Sequence, residues 1–302
     1  MSNTRRSFLQ SGAAVAAGLT GAVSAVGAQT PTPANVQVPK VKFGKAEISR
    51  IIVGCNMFYG TSHFNSTYDT VMREWYTAAR ILEVLQRAAT YGINAFQALA
   101  SSRCVADCER FKAEGGKLHC VVQANSDPVE IVKSLNPLGI YHAGEFTDRA
   151  FKAGKPDEVR DYCKKVRQAG VLVGVGSHNP EFLARVEDQG WDVDFYAGCV
   201  YFRTRTPEEW SKILGNEAPL VPNETYLQGD PPRMYKFMKQ TSKQCIAFKV
   251  LAAGRVPDVE AAFRLAFGSI KPADCLFVGM FPRVKDEVKE NAEIVSRILK
   301  SV

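Results

Sequence analysis

Eight short apolar runs recur along the chain, each followed by a longer amphipathic one: SRIIVGCN, NAFQAL, LHCVVQ, GIYH, LVGVG, FYAGCVY, CIAFKVL and LFVGM. Runs of this length are strands rather than buried helices when segments such as TAARILEVLQRAATYG, PDEVRDYCKKVRQAG and KDEVKENAEIVSRILKS separate them, because that alternation is the rhythm of a parallel sheet with helical crossovers. The pattern predicts strands at Ile51–Gly54, Ala95–Leu99, Leu118–Gln123, Gly139–His142, Leu172–Gly176, Phe195–Tyr201, Cys245–Leu251 and Leu276–Met280. Eight such units leave little room for a doubly wound sheet. They point to an α/β protein built as a (β/α)8 TIM barrel, with its chemistry at the carboxyl ends of the strands.

The chain begins MSNTRRSFLQSGAAVAAGLTGAVSAVGAQT. Paired Arg5 and Arg6 ahead of an alanine- and glycine-rich run, too short for a comfortable membrane anchor, predict a twin-arginine export signal over residues 1–28. QTPTPANVQVPK over 29–40 predicts an extended linker, and 41–302 the barrel. Cleavage near Ala28 leaves 274 of the 302 residues and removes two arginines and no acid, so the net charge drops from +7 to +5. The expected destination is periplasmic or otherwise extracytoplasmic, with the twin-arginine translocon as partner during export and no stable membrane span after cleavage. The remaining basicity is scattered and forms no aromatic-basic stripe, which excludes nucleic acid as an expected partner. Eight cysteines in a protein folded before export are expected to be small core residues rather than disulfides. Cys104 and Cys108 share a helix face, but no third ligand follows at metal spacing.

Two connections are long for a barrel. NMFYGTSHFNSTYDTVMREWY follows the first strand, and RTRTPEEWSKILGNEAPLVPNETYLQGDPP follows the sixth; both are candidate lids over one end. His142 and Glu145 close the fourth strand, and His178 the fifth. A histidine and a carboxylate at one strand mouth can abstract and return a proton, and the trio could ligate a divalent cation, but the spacing matches no known ligand pattern and no metal is assigned. Lys249 sits in an apolar run, where an unpaired charge needs a carboxylate, an anionic ligand or a shifted pKa; structural pairing is expected ahead of a Schiff base, and substrate contact is the functional candidate. Asn56, Gln97 and Gln123 are further substrate candidates. His63 and His119 have no visible partner and are assigned no role. Motifs for phosphoryl transfer, zinc proteolysis and serine hydrolysis do not occur.

VKFGKAEISRIIVGCNMFYG resembles the opening of the aldo-keto reductases. VGVGSHNPEFLARVEDQGWDVDFYAGCVYF resembles their fifth strand, its Ser-x-Asn corner and the sixth strand. FKVLAAG is similar to the end of their seventh strand, and VGMFPRVKDEVKENAEIV to the eighth strand and the helix after it. The likeness runs from about residue 41 to 300. It implies hydride transfer from a nicotinamide, NADP, to a carbonyl. Ser177 and Asn179 would then hold the nicotinamide amide, Glu290 and Asn291 would border the adenine, and Arg283 with Lys285 would bind an anion near a helix start. His142 stands at the position of the family's histidine. Gln97, however, replaces the family's aspartate, no tyrosine follows it, Gln123 and Asn125 occupy the lysine region, and Glu287 replaces an adenosine-side arginine. Without the tyrosine as proton donor and the lysine to lower its pKa, ordinary reduction is not expected, unless Tyr59 folds inward as a substitute donor.

Three functions follow as expectations. The first is an exported, oxidoreductase-related enzyme acting on a carbonyl or sugar-like small molecule. The second is a cofactor-free or metal-assisted isomerase or lyase using His142 and Glu145. The third is a non-catalytic periplasmic binding protein that keeps the barrel as scaffold.

Overall fold

A computed structural model describes residues 36–300, apart from 216 and 218. The expected export signal therefore lies outside the described residues, as does most of the expected linker. At the linker's end, Val38 is buried, its amide donating to the Tyr91 carbonyl, and pairing begins at Lys40.

Strands β1 (Lys40–Phe43) and β2 (Ala46–Ser49) form an antiparallel hairpin that the sequence pattern had not suggested. Its two-residue turn is possible because Gly44 takes φ +59, a region a β-carbon would strain. The hairpin delivers Phe43 and Ile48 into the inner core of the barrel, where Phe43 meets Phe195 edge-to-face at 5.0 Å. Asn94 fastens it, accepting from the Ser49 amide at 2.9 Å and donating to the Glu47 carbonyl at 2.9 Å.

The barrel strands are β3 (Ile51–Gly54), β4 (Ala95–Leu99), β5 (His119–Ala124), β6 (Gly139–His142), β7 (Leu172–Ser177), β8 (Phe195–Cys199), β9 (Gln244–Phe248) and β10 (Cys275–Gly279). All neighbours are parallel, and β10 returns to pair with β3, closing the cylinder. The (β/α)8 expectation holds. Helices cover the outside because their apolar residues recur at helical spacing. In Ala78–Thr90, Ile81, Leu82, Val84, Leu85 and Ala88 are buried, and the Thr77 hydroxyl caps the start. No helix among the described residues is long and apolar enough to cross a membrane.

Alternation along each strand sorts the side chains into two cores. Ile52, Ala95, Val121, Tyr141, Phe195, Ile246 and Phe277 fill the cylinder, whereas Val53, Phe96, Val122, Ile140, Val173 and Leu276 face the helices. Gly174 makes room for the inner layer, since a β-carbon there would lie 2.4 Å from the Phe195 ring. All eight cysteines are free and buried, in keeping with their expected role as core residues. This sorting also decides which side chains can reach the barrel mouth.

Candidate functional site

A cavity of about 640 Å3 opens at the carboxyl ends of the strands, a size suited to a small molecule. Beneath it, three inward residues from successive strands form a buried amide–phenol cluster. Gln97 Nε2 donates to the Tyr141 hydroxyl at 2.5 Å, and that hydroxyl donates to Gln123 Oε1 at 3.0 Å. Gln97 and Gln123 line the cavity, as do Asn56 and Glu145, so these four expected residues do meet there. Burial holds the Tyr141 phenol well above its usual pKa. Glu145 is exposed at the start of the helix Gly144–Lys152 and has no ion pair among the described residues; Arg149, one turn on, stacks on Phe146.

His178 leaves the end of β7 and turns into the cavity, held by Asp148. The buried Asp148 carboxylate accepts from the His178 amide at 3.1 Å, from Thr204 Oγ1 at 2.8 Å and from the Ser177 hydroxyl. Imidazole Nδ1 lies 2.9 Å from Asp148 Oδ2, so Nδ1 carries a proton toward the carboxylate, and the residue lines the cavity.

Lys249 follows β9. Strict alternation after the inward Phe248 would send it toward the helices, but its left-handed backbone, φ +61, ends the strand and leaves the lysine lining the cavity. Ala252 and Ala253 are left-handed as well, so the corner carries strain of a kind that clusters at functional sites. The Lys249 amine has no hydrogen bond or ion pair among the described residues. Burial, with the Arg203 guanidinium adding to it, brings its pKa down to about 7.

The two long loops meet over this corner through residues that sequence reasoning left without a role. His63 Nδ1 lies 2.8 Å from Glu224 Oε1, and Arg203 Nη2 donates to the same oxygen at 2.6 Å. Burial pulls His63 down to about 4, with the positive Lys249 and Arg203 pushing the same way. Phe64 and Tyr68 from the first loop give the cavity an aromatic wall.

Other expected residues lie elsewhere. His142 does not reach the mouth: β6 turns Tyr141 inward, so His142 faces the helices, bonded to Thr147 Oγ1 at 2.7 Å and edge-on to Tyr162. It lines a separate outer cleft of about 490 Å3 between the helices Gly144–Lys152 and Pro156–Gln168. The trio His142, Glu145 and His178 is thereby split. Tyr59 does not line the cavity either; its hydroxyl donates to Asp107 at 3.3 Å, under Arg103. Ser177 Oγ points outward to Asp148, and Asn179 Oδ1 accepts from the Glu181 amide as the cap of the helix Pro180–Asp188. Arg283 is exposed and away from the cavity. Glu290 and Asn291 do line its far end, but Glu290 pairs with Lys285 at 2.6 Å, and the neighbouring Glu287 accepts from the Phe281 amide.

No protein-family profile matches the chain, and neither does any curated protein sequence. Solved structures do. A Pseudomonas aeruginosa protein assigned as an aldo-keto reductase superposes with a TM-score of 0.57 at 15% identity, over 89% of this chain and 98% of its own. The barrel is aldo-keto reductase-like. A protein assigned as 2,5-diketo-D-gluconic acid reductase B gives 0.46 at 12% identity over 86% and 87% of the two chains, and a mandelate oxidase gives 0.48 at 11% over 90% and 79%. At 15% identity the likeness to the Pseudomonas aeruginosa protein is one of fold, and the chemistry rests on the side chains.

The outward His142 has a measurable consequence. Burial lowers its pKa to about 4, while an unfolded histidine titrates near 6.5. Between these values the unfolded chain binds a proton that the fold does not, so stability falls as pH drops from about 6.5 to 4. His142→Gln is expected to flatten that fall by up to about 1.4 kcal/mol per pH unit in urea denaturation. Equal slopes for the two proteins would contradict the burial.

Proposed function

We propose that the protein acts on a small carbonyl or sugar-like compound by proton transfer without a nicotinamide, as an isomerase or lyase. The observation that carries this is the Asp148-held imidazole of His178, a residue that lines the same cavity as an unpaired lysine amine. A base with a fixed tautomer beside polar amides can remove a proton next to a carbonyl. Gln97, Gln123 and Asn56 offer donors and acceptors for hydroxyl groups, and Phe64, Tyr68 and Phe248 offer apolar faces. This moves the acid–base role assigned to His142 onto His178.

The residues present do not fit NADP. Ser177 and Asn179, which would grip the nicotinamide amide, are committed to Asp148 and to a helix cap. At the other end Glu287 and Glu290 put carboxylates where phosphates would need cations, and Lys285 is already paired. No step is therefore routed through a nicotinamide. The proposed setting remains extracytoplasmic, after export of the folded chain, which agrees with eight cysteines buried as free thiols.

The test follows deuterium exchange by NMR in D2O, with dihydroxyacetone and glycolaldehyde as probes and no nicotinamide. Wild type is expected to accelerate exchange next to the carbonyl, and His178→Ala to slow it by roughly 10²- to 10⁴-fold. Exchange no faster than in buffer for either probe would overturn the proposal.

A further inference from the structure

We infer that the Lys249 amine forms an imine with the carbonyl carbon of the compound bound in the mouth cavity. The inference rests on the carbonyl reading above and deepens it, assigning a covalent anchor where that reading needs only a base.

A lysine that serves structure finds a carboxylate. Lys249 does not: no hydrogen bond or ion pair holds its nitrogen, and the nearest carboxylate cluster is already satisfied, because Glu224 takes Arg203 and His63. A lysine that serves solvation snorkels outward. Lys249 instead lines a cavity beside Phe248 and Val250, reached only through a left-handed backbone that a non-glycine residue adopts at a cost of roughly 1–3 kcal/mol. Burial outweighs the groups that would keep the amine charged, Glu224 among them. Arg203 stands against protonation, and the buried Cys55 and Cys199 thiols, pushed up by burial to beyond the usual range, are neutral near pH 7. An amine that is neutral in part at such a pH has the lone pair that addition to a carbonyl requires.

The step balances without a cofactor. The amine lone pair attacks the carbonyl carbon, and the C=O π pair moves to oxygen, which takes up a proton while the nitrogen gives one up. His178 lines the same cavity, and its imidazole can carry that proton. The nitrogen lone pair of the carbinolamine then forms C=N as the hydroxyl takes a solvent proton relayed by His178 and leaves as water, giving an iminium; return of its N–H proton yields the imine, so a carbonyl and an amine give an imine and one water. While it keeps its proton, the iminium withdraws electrons from the neighbouring carbon and acidifies the proton that His178 removes.

Trapping decides it. The folded protein is incubated with dihydroxyacetone and sodium borohydride, and the modified residue is located by peptide mass spectrometry. Reduced adduct concentrated on Lys249 near one per chain, and lost in Lys249→Arg, is the expected result. Adduct spread over exposed lysines with Lys249 unmodified would overturn the imine; the site map is made on wild type, so a poorly folding variant does not blunt it, and Lys249→Met provides a second variant. If Lys249 is unmodified while deuterium exchange persists, the imine fails and proton transfer stands. If both are absent, both fail.

Discussion

Replacing Asp230 with alanine is expected to cost the fold roughly 3–5 kcal/mol, the range for removing one partner of a buried ion pair. Asp230 and Arg205 are both almost fully buried, with side-chain exposures of 3% and 4%. The carboxylate takes both ends of the guanidinium and also accepts from the Phe202 amide at 3.2 Å. Arg205 would keep its bond to the Phe202 carbonyl and its position over the Phe202 and Trp210 rings, but its charge would be left without a counterion. The pair joins the two ends of the long connection after β8, which supplies Arg203 and Glu224 to the mouth. Guanidinium denaturation of Asp230→Ala measures the cost; a change under about 1 kcal/mol would mean that water or a rearranged loop satisfies Arg205.

Lys249→Met is expected to stabilise the protein near neutral pH, and the gain should vanish on going alkaline. In the fold the amine titrates near 7, against about 10.4 when unfolded. Between those values the unfolded chain holds a proton the fold has lost, so wild-type stability rises with pH across this window, by up to about 1.4 kcal/mol per unit. Below about pH 7 the fold carries the full penalty of a buried charge. Methionine fills similar space without it, so the variant's advantage should be largest at or below pH 7 and shrink toward pH 10. Urea midpoints at pH 6.5, 8 and 9.5 would show this convergence. A constant difference between the two proteins would mean that the amine keeps its proton throughout. Greater stability joined to lost imine trapping is the trade expected of a strained functional residue.

The barrel was legible because its strands are apolar on both sides and its helices are not. Ile51–Gly54, Ala95–Leu99 and Gly139–His142 fall where the pattern predicts them. The run Cys245–Leu251 overshoots because its apolar residues continue past Phe248, while the backbone turns left-handed at Lys249, a change that apolar character does not reveal. The hairpin was hidden in a stretch of lysines, although Val41 and Phe43 alternate with charges and Gly44 marks a turn. The cavity lining was legible at Gln123, His178 and Lys249, which stand at or just beyond strand ends, at Glu145 in the first turn of the helix that follows, and at Gln97, a polar residue inside an apolar strand. It was not legible at His142. In GIYH every residue is buried, so no polar face tells which side turns inward, and a shift of one position exchanges Tyr141 for His142. Asp148 and His63 were missed for another reason: their partners, His178 and Glu224, lie 30 and 161 residues away in the chain.

Calorimetric titration of the folded protein with NADPH, and then with dihydroxyacetone in the same cell, tests the central claim most directly. A mouth whose amide-gripping side chains are committed elsewhere predicts no saturable heat from the dinucleotide and saturable binding of the ketone that Lys249→Met abolishes. Stoichiometric NADPH binding, with the ketone taken up only afterwards, would contradict it.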